Sequence, residues 1–234
     1  GIRDTSVTGV QTCALPILTL ALLEQAQSVI AVEIDKRLAE QLPKTVASHS
    51  ENSASLQVLN LDALALSPLA QSPTVLVANL PYNVSVPVFL HVLEMMPTVQ
   101  RGVVMVQAEV ADRLAAKPHT KEYGIPSVKA AWWADVSGAG SVSRTIFWPQ
   151  PNVDSKLVAF TRHTPPGDEQ LRRKVFTVID LAFAQRRKML RAALSSLFGS
   201  SADAERALQS VGIDPTLRGE ALDISAFCTI AKCV

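Results

Sequence analysis

A chain of 234 residues is long enough to bury a sizeable core in one or two domains. An apolar fraction of 48% beside 18% charged residues excludes an intrinsically disordered polymer, and no apolar run reaches the ~18–20 residues of a membrane-spanning helix. The net charge of +1 names no partner, but residues 156–191 hold nine Lys/Arg against three Asp/Glu.

In chain order, residues 13–23 are apolar and follow Arg3, yet Asp4 and Glu24 flank them and no small-x-small cleavage site appears. The run is therefore not read as a signal peptide. Residues 18–27 are rich in Leu and Ala and read as a helix. Ser28-Val29-Ile30-Ala31-Val32 reads as a buried strand ending at Glu33-Ile34-Asp35. Residues 36–47 are helical again, with Leu38, Leu42 and Val46 at four-residue spacing. Strands are expected at residues 55–59, followed by Asp62, and at Val75-Leu76-Val77-Ala78, followed by Asn79-Leu80-Pro81-Tyr82. A helix over 87–96, with Pro87 near its start, and a strand over 102–106 continue the rhythm. Alternating strands and helices predict an α/β fold, a doubly wound parallel sheet.

Beyond this, residues 109–116 and 125–133 read as helices, and residues 144–147 and 155–161 as late strands. Phe147-Trp148-Pro149-Gln150-Pro151 forms a rigid loop between those strands, and Trp132-Trp133 reads as core. Pro165-Pro166-Gly167 is the linker, after which a long helix over 171–198 and a helix over 202–211 stopped by Gly212 are expected. A last helix from about Ser225 has Asp223 or Ser225 as its cap. The expected domains are 18–164, carrying the sheet, and 165–234, all helical. Cys13, Cys228 and Cys233 are odd in number and lack metal-ligand spacing with any His. They read as reduced thiols of a cytoplasmic protein, with no metal site.

The chemistry gathers at strand ends. Ligands of open α/β sheets bind outside the carboxyl ends of the strands, where Glu33, Asp62 and Asn79 fall. An acidic residue closing the second strand suits ribose hydroxyls of a nucleotide-like cofactor, and a carboxylate closing the third suits an adenine amine. Asn79-Leu80-Pro81-Tyr82 adds an amide, a fixed backbone and an aromatic face.

These stretches resemble the ribosomal RNA adenine dimethyltransferases that use S-adenosylmethionine, the bacterial small-subunit (16S rRNA) members most of all. The resemblance runs from about Leu18 to the C-terminus. It rests on Val32-Glu33-Ile34-Asp35, Asp62-Ala63 and Asn79-Leu80-Pro81-Tyr82-Asn83-Val84-Ser85. Further on it takes in Gln107-Ala108-Glu109-Val110-Ala111-Asp112-Arg113-Leu114, Glu122-Tyr123-Gly124, the run from Phe147 to Ser155, and Phe183-Ala184-Gln185-Arg186-Arg187-Lys188. It implies a Rossmann-like methyltransferase sheet with a small helical RNA-binding domain, acting as a monomer on 16S rRNA in the small ribosomal subunit. Asn79, Pro81, Tyr82 and Phe147 are then catalytic; Glu33, Asp62, Ala63 and Asn79 hold the cofactor; and Arg186, Arg187, Lys188 and Arg191 contact RNA phosphates.

The adenine amine is a poor nucleophile because its lone pair is delocalised into the ring. The Asn79 side-chain carbonyl and a backbone carbonyl near Leu80-Pro81 are placed to accept its hydrogens and favour a pyramidal nitrogen. Tyr82 offers a stacking face, and the resemblance sets Phe147 on the other side of the base. Two readings stand beside this one: a dimethyltransferase of large-subunit rRNA, and a non-catalytic RNA-binding factor of ribosome assembly.

The resemblance departs at the N-terminus. A cofactor loop is expected about twenty residues before Glu33, yet the chain has no glycine between Gly9 and Gly102. The first strand and the glycine loop are not recognisable. Residues 7–17 resemble the translation of a common sequencing adapter, so residues 1–17 are expected to be foreign to the protein, and the chain as written to bind S-adenosylmethionine poorly.

Overall fold

The computed structural model describes residues 8–12, 16–148 and 150–234. The chain divides into two compact units, Gly1–Ala111 with Ser137–Arg162, and Asp112–Val136 with His163–Val234. The expected limits placed 112–136 with the sheet; the structure clusters that segment with the C-terminal helices. The reason lies in contacts distant in sequence. Lys129 pairs with Asp180 at 2.8 Å, and Phe176 sits edge-on to both Trp132 and Trp133.

The first unit is built on strands β1 (Thr8–Thr12), β2 (Ser28–Glu33), β3 (Leu56–Asn60), β4 (Val75–Asn79), β5 (Arg101–Gln107), β6 (Ala134–Val142) and β7 (Ser155–Arg162), with β6 entering it from the second unit. Their order is β3-β2-β1-β4-β5-β7-β6. Strands β1 to β5 pair in parallel and β7 runs antiparallel to β5. Strand order therefore reverses between β1 and β4, the switch point where doubly wound sheets open a crevice. Thr8–Thr12 fills the first-strand position that the sequence left unrecognised, in register with Ser28 to Val32 on one side and with Val75 and Leu76 on the other. Ladder bonds are made by main-chain groups, so a short segment with β-branched Thr and Val suffices there whatever its origin.

Helices α1 (Pro16–Leu23) and α2 (Lys36–His49) belong to the same unit. Leu23, Val29, Ala31, Leu42 and Val46 form one buried cluster. The inward face of α2 is Ala39, Leu42 and Val46, whereas Leu38 is 56% exposed. Strict four-residue spacing drifts about 40° per step around a helix, which carries Leu38 off the face shared by Leu42 and Val46. Helix α3 (Ser85–Met95) buries Val88, Phe89, Val92 and Leu93, and Phe89 meets Phe160 of β7 edge-on at 5.4 Å. Arg162, which ends β7, donates to the carbonyls of Val99 and Leu93 at 2.7 Å and of Met96 at 3.2 Å. It thereby satisfies acceptors that the end of α3 leaves open.

Residues 144–147, expected as a strand, are mostly a 3-10 turn, Arg144–Ile146. Ser143 Oγ accepts from the Thr145 N–H, and Asp154 Oδ1 accepts from the Arg144 N–H at 3.3 Å. Local side-chain acceptors thus replace a ladder. The late strand is instead β6, whose Gly138 and Gly140 hide it from pattern reading.

In the second unit, α4 (Ala108–Ala115) enters from the first and is followed by α5 (Ile125–Ala130). The long helix expected over 171–198 is broken into α6 (Glu169–Ala184), α7 (Leu190–Ala193) and α8 (Ser195–Phe198). The break has a specific cause. The N–H groups of Leu190 and Arg191 donate to Leu217 O at 2.7 Å and Pro215 O at 3.2 Å, not to the preceding helical turn. Helices α9 (Ser201–Ser210) and α10 (Ile224–Ala231) complete the unit, and Asp223 is the cap of α10.

Candidate active site

Asn79 is the last residue of β4, in register with Met105 of β5. The next residue, Leu80, is 1% exposed and donates its N–H to Met105 O at 3.0 Å. The motif is therefore bolted to the neighbouring strand just where the sheet ends. The chain then turns: the Val84 N–H reaches Pro81 O at 3.2 Å, and Ser85 Oγ donates to Tyr82 O at 3.3 Å as α3 begins. Around this turn lies a cavity of about 320 Å³ lined by Asn79, Leu80, Pro81, Tyr82, Met105, Phe147, Trp148 and Pro151. All four residues expected to be catalytic face it. Among the described residues the Asn79 side-chain amide has no hydrogen-bond partner, so its carbonyl is open to a ligand.

Tyr82 and Phe147 are half-buried, and the hydroxyl of Tyr82 sits 3.0 Å from Oγ of Ser155, which is fully buried. Ser155 begins β7, directly after the loop that carries Phe147. The bond therefore anchors the Tyr82 ring to the start of β7. Ser155, Met105, Trp148 and Pro151 were not singled out from the sequence as site residues. Strand register would have found Met105, the partner of Asn79; only the folded chain brings Trp148 and Pro151 to this cavity and Ser155 to the hydroxyl of Tyr82.

A second cavity, of about 120 Å³, is lined by Val32, Glu33, Ile34, Leu61, Asp62, Ala63, Pro81, Val84 and Val88. Glu33 ends β2 and is 6% exposed, with Oε1 accepting the Asp35 N–H at 2.9 Å. Asp62 caps the 3-10 turn Ala63–Ala65 by accepting the Leu64 N–H at 2.9 Å. Asp35 has a structural role: it caps α2, and the hydrogen bond from the Arg37 side chain holds its carboxyl below the usual range, helped by the N–H groups of Arg37 and Leu38.

Two carboxylates beside the apolar side chains of Val32, Leu61 and Ala63 make a lining of the kind that suits the adenosine half of S-adenosylmethionine. Asn79 lines the first cavity, and Glu33, Asp62 and Ala63 line the second. Pro81 lines both cavities and is their shared wall. The expected glycine turn falls on residues 12–16, of which 13–15 lie outside the described residues, as does Cys13.

The basic cluster is not a helical stripe. Residues 185–188 form a turn after α6. Within the second unit, Arg186 pairs with Glu220 at 2.9 Å and donates to Lys121 O at 2.6 Å, and Arg191 pairs with Glu205 at 2.9 Å. Arg187 and Lys188 are exposed. Tyr123, buried in this unit, donates to Leu222 O at 2.8 Å, and burial pushes its hydroxyl well above the usual tyrosine range.

A family model described as ribosomal RNA adenine dimethylase matches residues 15–234. The chain is 58% identical over 217 residues to ribosomal RNA small subunit methyltransferase A of Thermobifida fusca, covering 92% of this chain and 76% of that protein. It is 56% identical over 222 residues to the protein of the same name from Corynebacterium diphtheriae, covering 92% and 75%. Among solved structures, its fold is similar to a dimethyladenosine transferase from Plasmodium falciparum, with a TM-score of 0.80 at 21% identity over 98% of this chain and 90% of that one. It is also similar to the 23S rRNA methyltransferase ErmE, with a TM-score of 0.70 at 21% identity over 99% and 93%. The matched range takes in β2 to β7 and every residue named in the two cavities, and this chain belongs to the ribosomal RNA adenine dimethylase family.

Proposed function

We propose that the protein dimethylates the exocyclic amines of two adjacent adenines near the 3′ end of 16S rRNA in the small ribosomal subunit, using S-adenosylmethionine. One observation carries the reading: two cavities beyond the strand ends share Pro81 as a wall, one lined by aromatic rings and an amide without a partner among the described residues, the other by carboxylates and apolar side chains. The choice of the small subunit leans on the relatives of that name at 54–58% identity.

Bound S-adenosylmethionine supplies an electrophilic methyl group. The protein supplies position. Tyr82 and Phe147 hold the extruded base between them, each stack worth roughly 1–3 kcal/mol. The Asn79 carbonyl accepts one amine hydrogen and a backbone carbonyl at Leu80-Pro81 the other, which favours a pyramidal nitrogen with its lone pair free to meet the methyl group, and the proton released on transfer passes to solvent. The Leu80 N–H to Met105 bond keeps that backbone from yielding. Among the described residues no Asp, Glu, His or Lys lines this cavity, so the rate is attributed to alignment rather than acid–base chemistry. Arg187 and Lys188 serve as exposed phosphate contacts, while Arg186 and Arg191 order the turn that presents them.

Transfer of labelled methyl groups to unmethylated small subunits tests the reaction. Asn79→Ala should lower kcat at least about 100-fold with RNA affinity held within about threefold, the pattern of a contact made mainly in the transition state. Unchanged turnover in that variant would remove the alignment mechanism. The second reading, RNA binding without transfer, draws on the lack of glycine between Gly9 and Gly102. Calorimetric titration with S-adenosylmethionine separates the two: micromolar binding lost in Glu33→Ala supports the enzyme, and no binding supports the scaffold.

A further inference from the structure

Of the three tryptophans, Trp132 and Trp133 are 1% and 5% exposed, whereas Trp148 is 97% exposed. Yet Trp148 lines the same cavity as Asn79, Tyr82 and Phe147. Large aromatic side chains contribute most to stability when buried, so a bare indole at the rim of a cavity gains nothing for the fold of this unit. Nor does it ride on a loose loop. Arg144 at the start of the loop donates to Asp154 Oδ1 and to Asn152 O, both at 3.3 Å, and the Phe147 N–H returns to Arg144 O at 3.3 Å. The proline that follows Trp148 in the sequence narrows its backbone freedom further.

We propose that Trp148 is a stacking platform for the nucleobase adjacent to the adenine held by Tyr82 and Phe147. The inference rests on reading that cavity as the target-adenine site. Extruding one base from a strand deprives its neighbour of a stacking partner. Within this unit the loop sets Phe147, half-buried, in the wall of the cavity and Trp148, fully exposed, one residue further on. An indole face there replaces the lost partner and fixes which nucleotide enters the cavity. A flat π face accepts any base, so the platform selects by the presence of a neighbour and not by its identity.

The test uses Trp148→Ala and Trp148→Phe, substitutions at an exposed site that leave the fold intact. Three RNAs are compared, each with one target adenine: one intact, one abasic on the 5′ side of the target, one abasic on the 3′ side. Trp148→Ala should raise KM for the intact RNA roughly 5- to 150-fold, the range that corresponds to losing one base stack, with kcat little changed. Trp148→Phe should restore most of it, and the penalty should vanish on one of the abasic RNAs. Independently, intact RNA should quench the emission of the exposed tryptophan, and the quenching should be absent in Trp148→Phe. Equal KM for wild type and Trp148→Ala on all three RNAs, without quenching, overturns the proposal. Quenching without any methyl transfer would support the platform and count against the proposed reaction.

Discussion

Asn79 and Tyr82 are three residues apart and do different work, which their substitutions should separate. Asn79 presents an amide with no partner among the described residues, so under the proposed mechanism its loss should fall on the reaction and leave the fold untouched. The Tyr82 hydroxyl is engaged with buried Ser155 at 3.0 Å. Tyr82→Phe keeps the ring but strands the Ser155 hydroxyl, an unmade bond that costs about 1–3 kcal/mol. We expect that loss in chemical denaturation, with methyl transfer reduced less than about tenfold. A Tyr82→Phe variant as inactive as Asn79→Ala would instead place the hydroxyl in the chemistry. That Glu33 and Asp62 line one cavity was legible from strand ends, because the ends of neighbouring parallel strands fall on one rim of the sheet. The Tyr82–Ser155 bond was not, since 73 residues separate its ends.

At the level of elements, the close approach of β4 and β5 depends on Gly102. A Cβ there would meet Leu76 O at 2.3 Å and Phe160 Cε1 at 2.6 Å. Gly102→Ala should destabilise the sheet by about 1–3 kcal/mol or more, read as a lower denaturation midpoint at unchanged m-value. Helix α6 offers a pH-dependent feature. Side-chain hydrogen bonds from Arg172 and then Arg173 hold the Glu169 carboxyl down to about 2. Its folded value is depressed, so its contribution is complete above the ordinary value of 4.5 and is lost as pH falls toward 2. Because Glu169 is 52% exposed, the effect is small. Protection of amides in the first turn of α6, taken relative to intrinsic exchange at each pH, should fall below about pH 4.5 in the wild type, and Glu169→Gln should flatten that dependence. Helix breaks were harder to read than helix caps. The cap of α10 was narrowed to Asp223 or Ser225 from their place before an apolar run, and the structure selects Asp223, while the break after Ala184 is made by carbonyls of Pro215 and Leu217.

For the whole molecule, the local excess of basic residues is largely consumed internally. Arg162 serves the end of α3, Arg172 and Arg173 pair with Glu169, and Arg186 and Arg191 have acidic partners of their own. Charge counted along the chain therefore overstates how many of these cations lack a partner within the protein. Arg187→Glu or Lys188→Glu should weaken RNA binding and lower the salt slope by about one for each phosphate that loses its cation. Arg191→Gln should instead lower stability, by no more than about 1 kcal/mol for so exposed a pair. Salt slopes unchanged in both charge reversals would remove these two residues from the RNA interface. Patterns local in sequence determined the α/β class, the strand ends that carry chemistry and the motifs of the family, because burial periodicity and strand termini are properties of short segments. The tertiary structure alone decided that Thr8–Thr12 completes the sheet, that Pro81 divides two cavities, that Trp148 stands bare at one of them, and which cations are already neutralised. Each of these depends on partners supplied by distant parts of the chain, and no local pattern encodes them.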